Sequence, residues 1–99
     1  MAATRSVTLA KNAVATADQN AVTWVGGRCV LVLIATAFPT TCKLQMLGQD
    51  GQTWVDINGT TYSANQVTPY DLPAGQYRMH LSGGTTTGLY ADLVSVPYI

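Results

Sequence analysis

The chain has 99 residues, and its charged side chains divide evenly into five Lys or Arg and five Asp, with no Glu and a formal net charge of zero. This length suits one domain with a single modest core and is too short for two. The basic residues stand singly along the chain, so it lacks the clustered positive charge with which proteins displace counterions from nucleic acids. We therefore expect no nucleic-acid partner.

Residues 1–20 come first in chain order, and we predict an N-terminal arm or loop there, with a short strand at 5–9 as a further possibility. Lys11 and Asp18 interrupt every apolar run in this part of the chain, so it lacks the continuous apolar core of a signal peptide. We expect the protein to stay in the compartment where it is made. Residues 11–20 are rich in Ala and contain no Gly or Pro, which leaves a loop or a short helix as alternatives.

The rest of the chain, residues 21–99, has the rhythm of a small β-protein. Turn signals such as "GQDGQ", "LPAG" and "SGGTTTG" separate short runs rich in Val, Thr, Ile, Tyr and Trp, which are typical of strands. The candidate strands span residues 5–9, 21–25, 28–37, 41–47, 53–57, 66–71, 75–82 and 88–96. Eight short strands predict an all-β fold, a small antiparallel β-sandwich or jelly roll, with residues 21–99 as the sandwich domain.

The longest apolar run, "CVLVLIATAF" at residues 29–38, is about half as long as a membrane-spanning helix, so we expect no membrane partner. As a strand, this run would be apolar on both faces. The two faces are Leu31 with Leu33, and Val30 with Val32 and Ile34. Such a strand belongs at the centre of a sheet that is covered on both sides. In so small a chain we expect another subunit to supply the second cover.

The strand at residues 75–82 alternates between apolar and polar side chains. Tyr77, Met79 and Leu81 fall on one face, and Gln76, Arg78 and His80 fall on the other. We predict that the apolar row faces the core and that the polar row faces water or a partner. The candidate interface residues are Gln76, Arg78 and His80, together with Trp24 and Trp54.

Catalytic and metal-binding motifs are weak in this sequence. His80 is the single histidine and Ser82 lies two residues away, but a catalytic triad also needs an acid and a specific geometry that spacing alone does not supply. The stretch "DING" at residues 56–59 lacks the further acidic ligand of a calcium loop. We expect no enzyme activity, no cofactor and no bound metal.

Cys29 and Cys42 flank the turn signal "FPTT". If their segments form a hairpin that turns near Pro39, the two residues lie too far apart along the ladder for a relaxed disulfide. We predict buried free thiols, although another arrangement of the strands across the sheets would leave a disulfide open. Neither cysteine belongs to a C-x-x-C motif of the kind used in redox or zinc sites.

The strings "KLQMLGQDGQTWVDI", "YDLPAGQYRMHLSGG" and "GLYADLVSVP" resemble small virion proteins of tailed bacteriophages, of the head decoration or head-associated type. The shared pattern comprises "GGR" at 26–28 before an apolar strand, a hairpin over 44–54, and "LPAGQYR" at 72–78 before a later strand. The likeness covers roughly residues 24–97 and does not include the first twenty.

This resemblance implies a β-sandwich that adheres to a phage capsid lattice without catalysis. The implied partner is the major capsid protein, and the implied location is the capsid surface of the virion, assembled in the bacterial host cytoplasm. A closed homo-oligomer is expected on symmetry grounds, and a trimer would suit local threefold positions on a capsid. Two alternatives stay open: a carbohydrate-binding or host-adhesion module of a phage tail or fibre, built on exposed Trp or Tyr residues, and an enzyme with a pocket that joins His80 to an Asp.

Overall fold

A computed structural model describes residues 6–13, 18–57, 59 and 61–95, which form eight strands. Sheet A has the strand order β1-β8-β3-β6, and sheet B has the order β2-β7-β4-β5. Every described pairing between these strands is antiparallel. The prediction of an all-β sandwich is therefore confirmed. The strands are β1 (Ser6–Ala13), β2 (Val22–Trp24), β3 (Gly27–Ile34), β4 (Thr41–Leu47), β5 (Trp54–Asp56), β6 (Gln66–Leu72), β7 (Gly75–Ser82) and β8 (Leu89–Ser95).

The core consists of the inward rows of both sheets, as the period of two in the sequence predicts. In β7 the predicted row of Tyr77, Met79 and Leu81 is fully buried. Sheet A contributes the matching inward rows of β3 and β8, which include Leu31, Leu33, Leu89 and Leu93. The described part of the chain contains no helix that is long and apolar enough to cross a membrane.

The N-terminal segment contributes the edge strand β1, which pairs with β8 and buries Leu9, Ala10 and Ala13. The strand is longer than the predicted 5–9, and two register shifts interrupt its ladder. The loop or short helix predicted for 11–20 is wrong for residues 11–13, because their pairing with β8 outweighs the weak helical preference of Ala. Residues 18–20 have no regular structure, and residues 14–17 lie outside the described ranges.

Strand β3 is central in sheet A, between β8 and β6, as its two apolar faces predict. Its Leu31 and Leu33 point into the core, whereas Val30 and Val32 are half-buried on the outer side and Ile34 is 47% exposed there. The hairpin considered for residues 28–47 is wrong, because β3 and β4 lie in different sheets and residues 35–40 cross between them. The hairpin expected over residues 44–54 is present, since β4 pairs with β5.

Both cysteines are buried free thiols, as predicted. Cys29 lies on β3 of sheet A, and Cys42 lies on β4 of sheet B. Burial raises the pKa of the Cys42 thiol to about 12, and burial together with the Asp71 charge raises the pKa of Cys29. Because the thiolate is the reactive form, burial and a raised pKa both act to lower the reactivity of these two side chains.

Candidate functional site

The outer surface of sheet B carries a group of polar side chains that the strand register brings together. Lys43 lies opposite His80, and Gln45 lies between Arg78 on β7 and Asp56 on β5. The sequence places these residues on three separate strands. We call this surface the polar face, defined by Lys43, Gln45, Asp56, Arg78 and His80 together with Asp18, which reaches it from the segment before β2.

A continuous chain of hydrogen bonds runs across the polar face. Arg78 donates from Nε to Gln45 Oε1 at 2.9 Å, and Gln45 donates from Nε2 to Asp56 Oδ1 at 2.8 Å. Lys43 Nζ donates to the other oxygen of Asp56 at 3.2 Å. The Gln45 side chain is only 9% exposed, so these bonds satisfy a polar group that would otherwise be costly to bury.

Asp18 extends this chain to His80. Its Oδ2 forms an ion pair with a terminal nitrogen of Arg78 at 3.2 Å, and its Oδ1 contacts His80 Nδ1. Asp18 and His80 are 62 residues apart in sequence, and no local pattern points to Asp18 as a member of the site. The pairing of β2 with β7 brings this stretch of chain beside Arg78 and His80.

Two of the predicted interface residues, Trp54 and Arg78, are in contact, with the Arg78 guanidinium 4.4 Å from the centre of the Trp54 ring. Gln76 is exposed on the same side of β7. The prediction that Trp24 is an interface residue is wrong, because Trp24 is 1% exposed and belongs to the core. The alternation of β2 explains this position: Thr23 is exposed, so its neighbour Trp24 points to the opposite face.

The charges of the polar face largely compensate one another. Hydrogen bonds from Gln45 and from Lys43 lower the pKa of Asp56, and Arg78 lies beside Asp18. Each of the two carboxylates is thus paired with a basic side chain, Asp56 with Lys43 and Asp18 with Arg78. A surface with this balance has little net field with which to attract a charged partner.

The structure supplies only part of the geometry that a hydrolytic site around His80 would need. The structure supplies the acid, Asp18, but Arg78 shares the same carboxylate. Among the described residues, no hydrogen bond joins Ser82 to His80. The described part of the chain also holds no group of three or more His, Cys, Asp or Glu residues that could bind a metal ion. In the "DING" stretch, the Asp56 carboxylate already accepts hydrogen bonds from Lys43 and Gln45.

The outer surface of sheet A has the opposite character. Its register aligns Val30 with Val94 and Pro69, Val32 with Asp92 and Val67, and Ile34 with Tyr90. Val67 is 63% exposed, and Ile34 and Tyr90 are also exposed. We call this surface the apolar face, defined by Val30, Val32, Ile34, Val67, Pro69, Tyr90 and Val94. Sequence reasoning identified only its β3 row.

A shallow groove lies at one end of the apolar face and has a volume of about 300 Å³. Ile34 and Tyr90 supply apolar surface, and Thr36 and Asn65 supply polar groups. The Asn65 side-chain oxygen accepts a hydrogen bond from the Ala35 backbone N–H at 2.9 Å. This bond fixes the orientation of the amide at the groove.

In comparisons with protein-family models, curated proteins and solved structures, the chain matches none of them.

Proposed function

We propose that this chain is a non-catalytic virion structural protein, a capsid decoration protein that binds and stabilises the head lattice of a tailed bacteriophage. The observation that carries the proposal is the apolar face on a sandwich whose other outer surface is already satisfied by its own hydrogen bonds. An exposed, contiguous apolar surface on a small domain is typical of a protein–protein contact. The sequence resemblance to head decoration proteins points to a capsid subunit as the partner.

The docking surface differs from the one that the sequence suggests. Arg78 and His80 lie on the polar face, but two of the three guanidinium nitrogens of Arg78 and the Nδ1 atom of His80 already contact Gln45 or Asp18. A capsid contact there would have to compete with these intramolecular bonds. Docking through the apolar face requires no such exchange, because burial of its Val, Ile and Tyr side chains is favourable by itself.

The size of the apolar face favours attachment through several copies at once. Its residues lie on three strands, and three strands at about 4.8 Å spacing with five residues of about 3.3 Å each span roughly 240 Å², against about 800 Å² per partner in a standard stable interface. One such contact is therefore weak. A closed homo-oligomer, for example a trimer at a local threefold position, would add the contacts of its copies and raise the avidity for the lattice. Binding to neighbouring capsid subunits then stabilises the assembled shell relative to unassembled subunits.

Co-sedimentation with undecorated phage heads tests this function. Val67→Asp places a charge on a side chain of the apolar face that is 63% exposed, and it should abolish binding with little effect on folding. Val25→Asp is the matched control, because Val25 is similarly exposed, at 54%, and lies outside this face. Loss of binding in both variants, or in neither, would contradict docking through the apolar face. Absence of wild-type binding would contradict the function itself.

A carbohydrate-binding or host-adhesion role is the second candidate, and the groove lined by Ile34, Thr36, Asn65 and Tyr90 favours it. An aromatic ring beside amide and hydroxyl groups suits the apolar face and the hydroxyls of a sugar ring. A glycan array would test this role. Tyr90→Ala should remove binding and Tyr90→Phe should keep most of it, whereas an array without any bound glycan would exclude the site.

A further inference from the structure

The turn between β4 and β5 contains the one Asp-Gly pair of the sequence, Asp50-Gly51. Gly51 has a φ of +73°, a left-handed conformation that a residue with a side chain adopts only at a cost. The turn therefore favours glycine directly after Asp50. A Cβ atom added at Gly51 would meet no other atom within 4 Å, and Asp50 is exposed, so this pair of residues is open to solvent.

Asp-Gly pairs are chemically labile, because glycine has no side chain to hinder a ring closure between the two residues. The glycine nitrogen attacks the side-chain carboxyl carbon, a C–N bond forms, and the amide hydrogen leaves with the carboxyl OH as water. Water then opens the resulting succinimide. Opening at the side-chain carbonyl restores Asp, whereas opening at the main-chain carbonyl leaves isoaspartate, which adds one methylene group to the backbone.

The structure engages both reacting groups of this pair in hydrogen bonds. Asp50 Oδ1 accepts from the backbone N–H groups of Gln52 at 2.9 Å and Thr53 at 2.8 Å. Asp50 Oδ2 accepts from the Thr53 hydroxyl at 2.5 Å. These bonds hold the carboxylate towards residues 52 and 53. The Gly51 N–H donates to the Gly48 carbonyl at 3.1 Å, which makes the loss of its hydrogen less favourable.

The same hydrogen bonds keep the carboxyl in its less reactive form. Ring closure expels an OH group, which leaves far more readily from a neutral carboxyl than from a carboxylate. Hydrogen bonds from the Thr53 hydroxyl and then from backbone N–H groups lower the pKa of Asp50 from 3.8 to about 2. Each pKa unit changes the neutral fraction by roughly tenfold, so the reactive form is scarce in the folded protein near neutral pH.

Isoaspartate at residue 50 would also disturb the polar face. The turn closes with a hydrogen bond from the Gly48 N–H to the Thr53 carbonyl at 2.7 Å, directly before β5 begins at Trp54. A longer backbone inside this turn would shift the register of β5 against β4. The contact of Trp54 with Arg78 depends on that register, and so do the hydrogen bonds of Asp56.

We propose that Asp50 is a latent isomerisation site, which the Thr53 hydroxyl and the backbone hydrogen bonds of the turn protect in the folded protein, and which forms isoaspartate when these bonds are lost. This inference does not depend on the decoration function. It concerns the chemical durability of the hairpin that positions Trp54 and Asp56.

The experiment compares isoaspartate formation at Asp50 in wild type, Thr53→Val and Thr53→Ser with that in a capped peptide of residues 49–52. The peptide keeps the Asp-Gly pair but lacks Gly48 and Thr53. All four are incubated in the same mildly acidic buffer and analysed by chromatography and tandem mass spectrometry. Isomerisation splits the peak of the Asp50 peptide without a change in mass, whereas deamidation of the neighbouring Asn58-Gly59 pair raises the mass.

Wild type should react at least roughly tenfold more slowly than the peptide. Thr53→Val should react about fivefold faster than wild type, the factor that one typical hydrogen bond supplies. Thr53→Ser is the matched control, because it keeps the hydroxyl and should react at nearly the wild-type rate.

Equal rates in wild type and the peptide would overturn the proposal. A Thr53→Val rate equal to that of wild type would overturn the role of the hydroxyl. Deamidation of Asn58 that accelerates by the same factor in Thr53→Val would show that this variant opens as a whole, which would overturn local protection by Thr53. Circular dichroism checks that the variants are folded, and the comparison of wild type with the peptide decides the proposal if Thr53→Val does not fold.

Discussion

Replacement of Arg78 by Ala is the most informative perturbation of the polar face. An outward-facing residue on a strand usually changes stability by no more than roughly 0.5 kcal/mol when it is truncated, and the sequence alone predicts this small effect for Arg78. The structure predicts a larger one. Arg78 donates to Gln45, contacts Asp18 and covers the ring of Trp54, and Ala removes all three interactions at once.

The magnitude follows from the environment of each partner. Gln45 is nearly buried, and a buried acceptor left without its donor costs about 1–3 kcal/mol. The cation–π contact with Trp54 contributes about 0.5–1 kcal/mol. The ion pair with Asp18 contributes less than about 1 kcal/mol, because the Asp18 side chain is 42% exposed and solvent screens the interaction. Arg78→Ala should therefore lower the free energy of unfolding by about 2–4 kcal/mol.

Urea denaturation followed by tryptophan fluorescence and circular dichroism measures this loss. Arg78→Lys should fall between wild type and Ala, because the ammonium keeps a charge near Asp18 but lacks the planar guanidinium that bonds Gln45 and stacks on Trp54. Lys43→Ala is the control, since it removes only a part-exposed ion pair with Asp56, worth less than about 1 kcal/mol. An Arg78→Ala loss below about 0.5 kcal/mol, or one smaller than that of Lys43→Ala, would refute the reasoning.

Three further predictions concern the core, a turn and the thiols. Leu81→Ala removes a buried side chain of the inward row and should lower the free energy of unfolding by about 2–5 kcal/mol; a loss below about 1 kcal/mol would place Leu81 outside the core. Hydrogen bonds from the Thr53 hydroxyl and then from backbone N–H groups lower the pKa of Asp50 from 3.8 to about 2. The stabilisation from Asp50 is therefore present above pH 3.8 and is lost as the pH falls towards about 2. Thr53→Val should raise this pKa towards its ordinary value in an NMR titration, and an unchanged titration would contradict the assignment. Cys29 and Cys42 should resist alkylation in the folded protein and both react after denaturation, whereas an intact mass lower by two hydrogens would reveal a disulfide.

The sequence by itself determined the strands and their facing. The period of two in Tyr77, Met79 and Leu81 predicts their burial, and the double-sided apolar run predicts the central position of β3. These features are local, because the pleat alone sends alternate side chains to opposite faces of a strand. Trp24 also carried a local signal, in its alternation with Thr23, although the prediction placed it at an interface.

Only the tertiary structure decided which strands pair, and therefore which side chains form hydrogen bonds across the polar face. The pairing of β4 with β7 sets Gln45 opposite Arg78, and the hairpin between β4 and β5 brings Trp54 within reach of Arg78. Asp18 joins His80 across 62 residues. Strand pairing depends on the burial of whole sheet faces and on long-range chain closure. The few residues around Asp18 or Arg78 therefore do not predict it. For the same reason the sequence could show that Arg78 points outwards, but only the fold could show that its hydrogen bonds to Gln45 and Asp18 are already made.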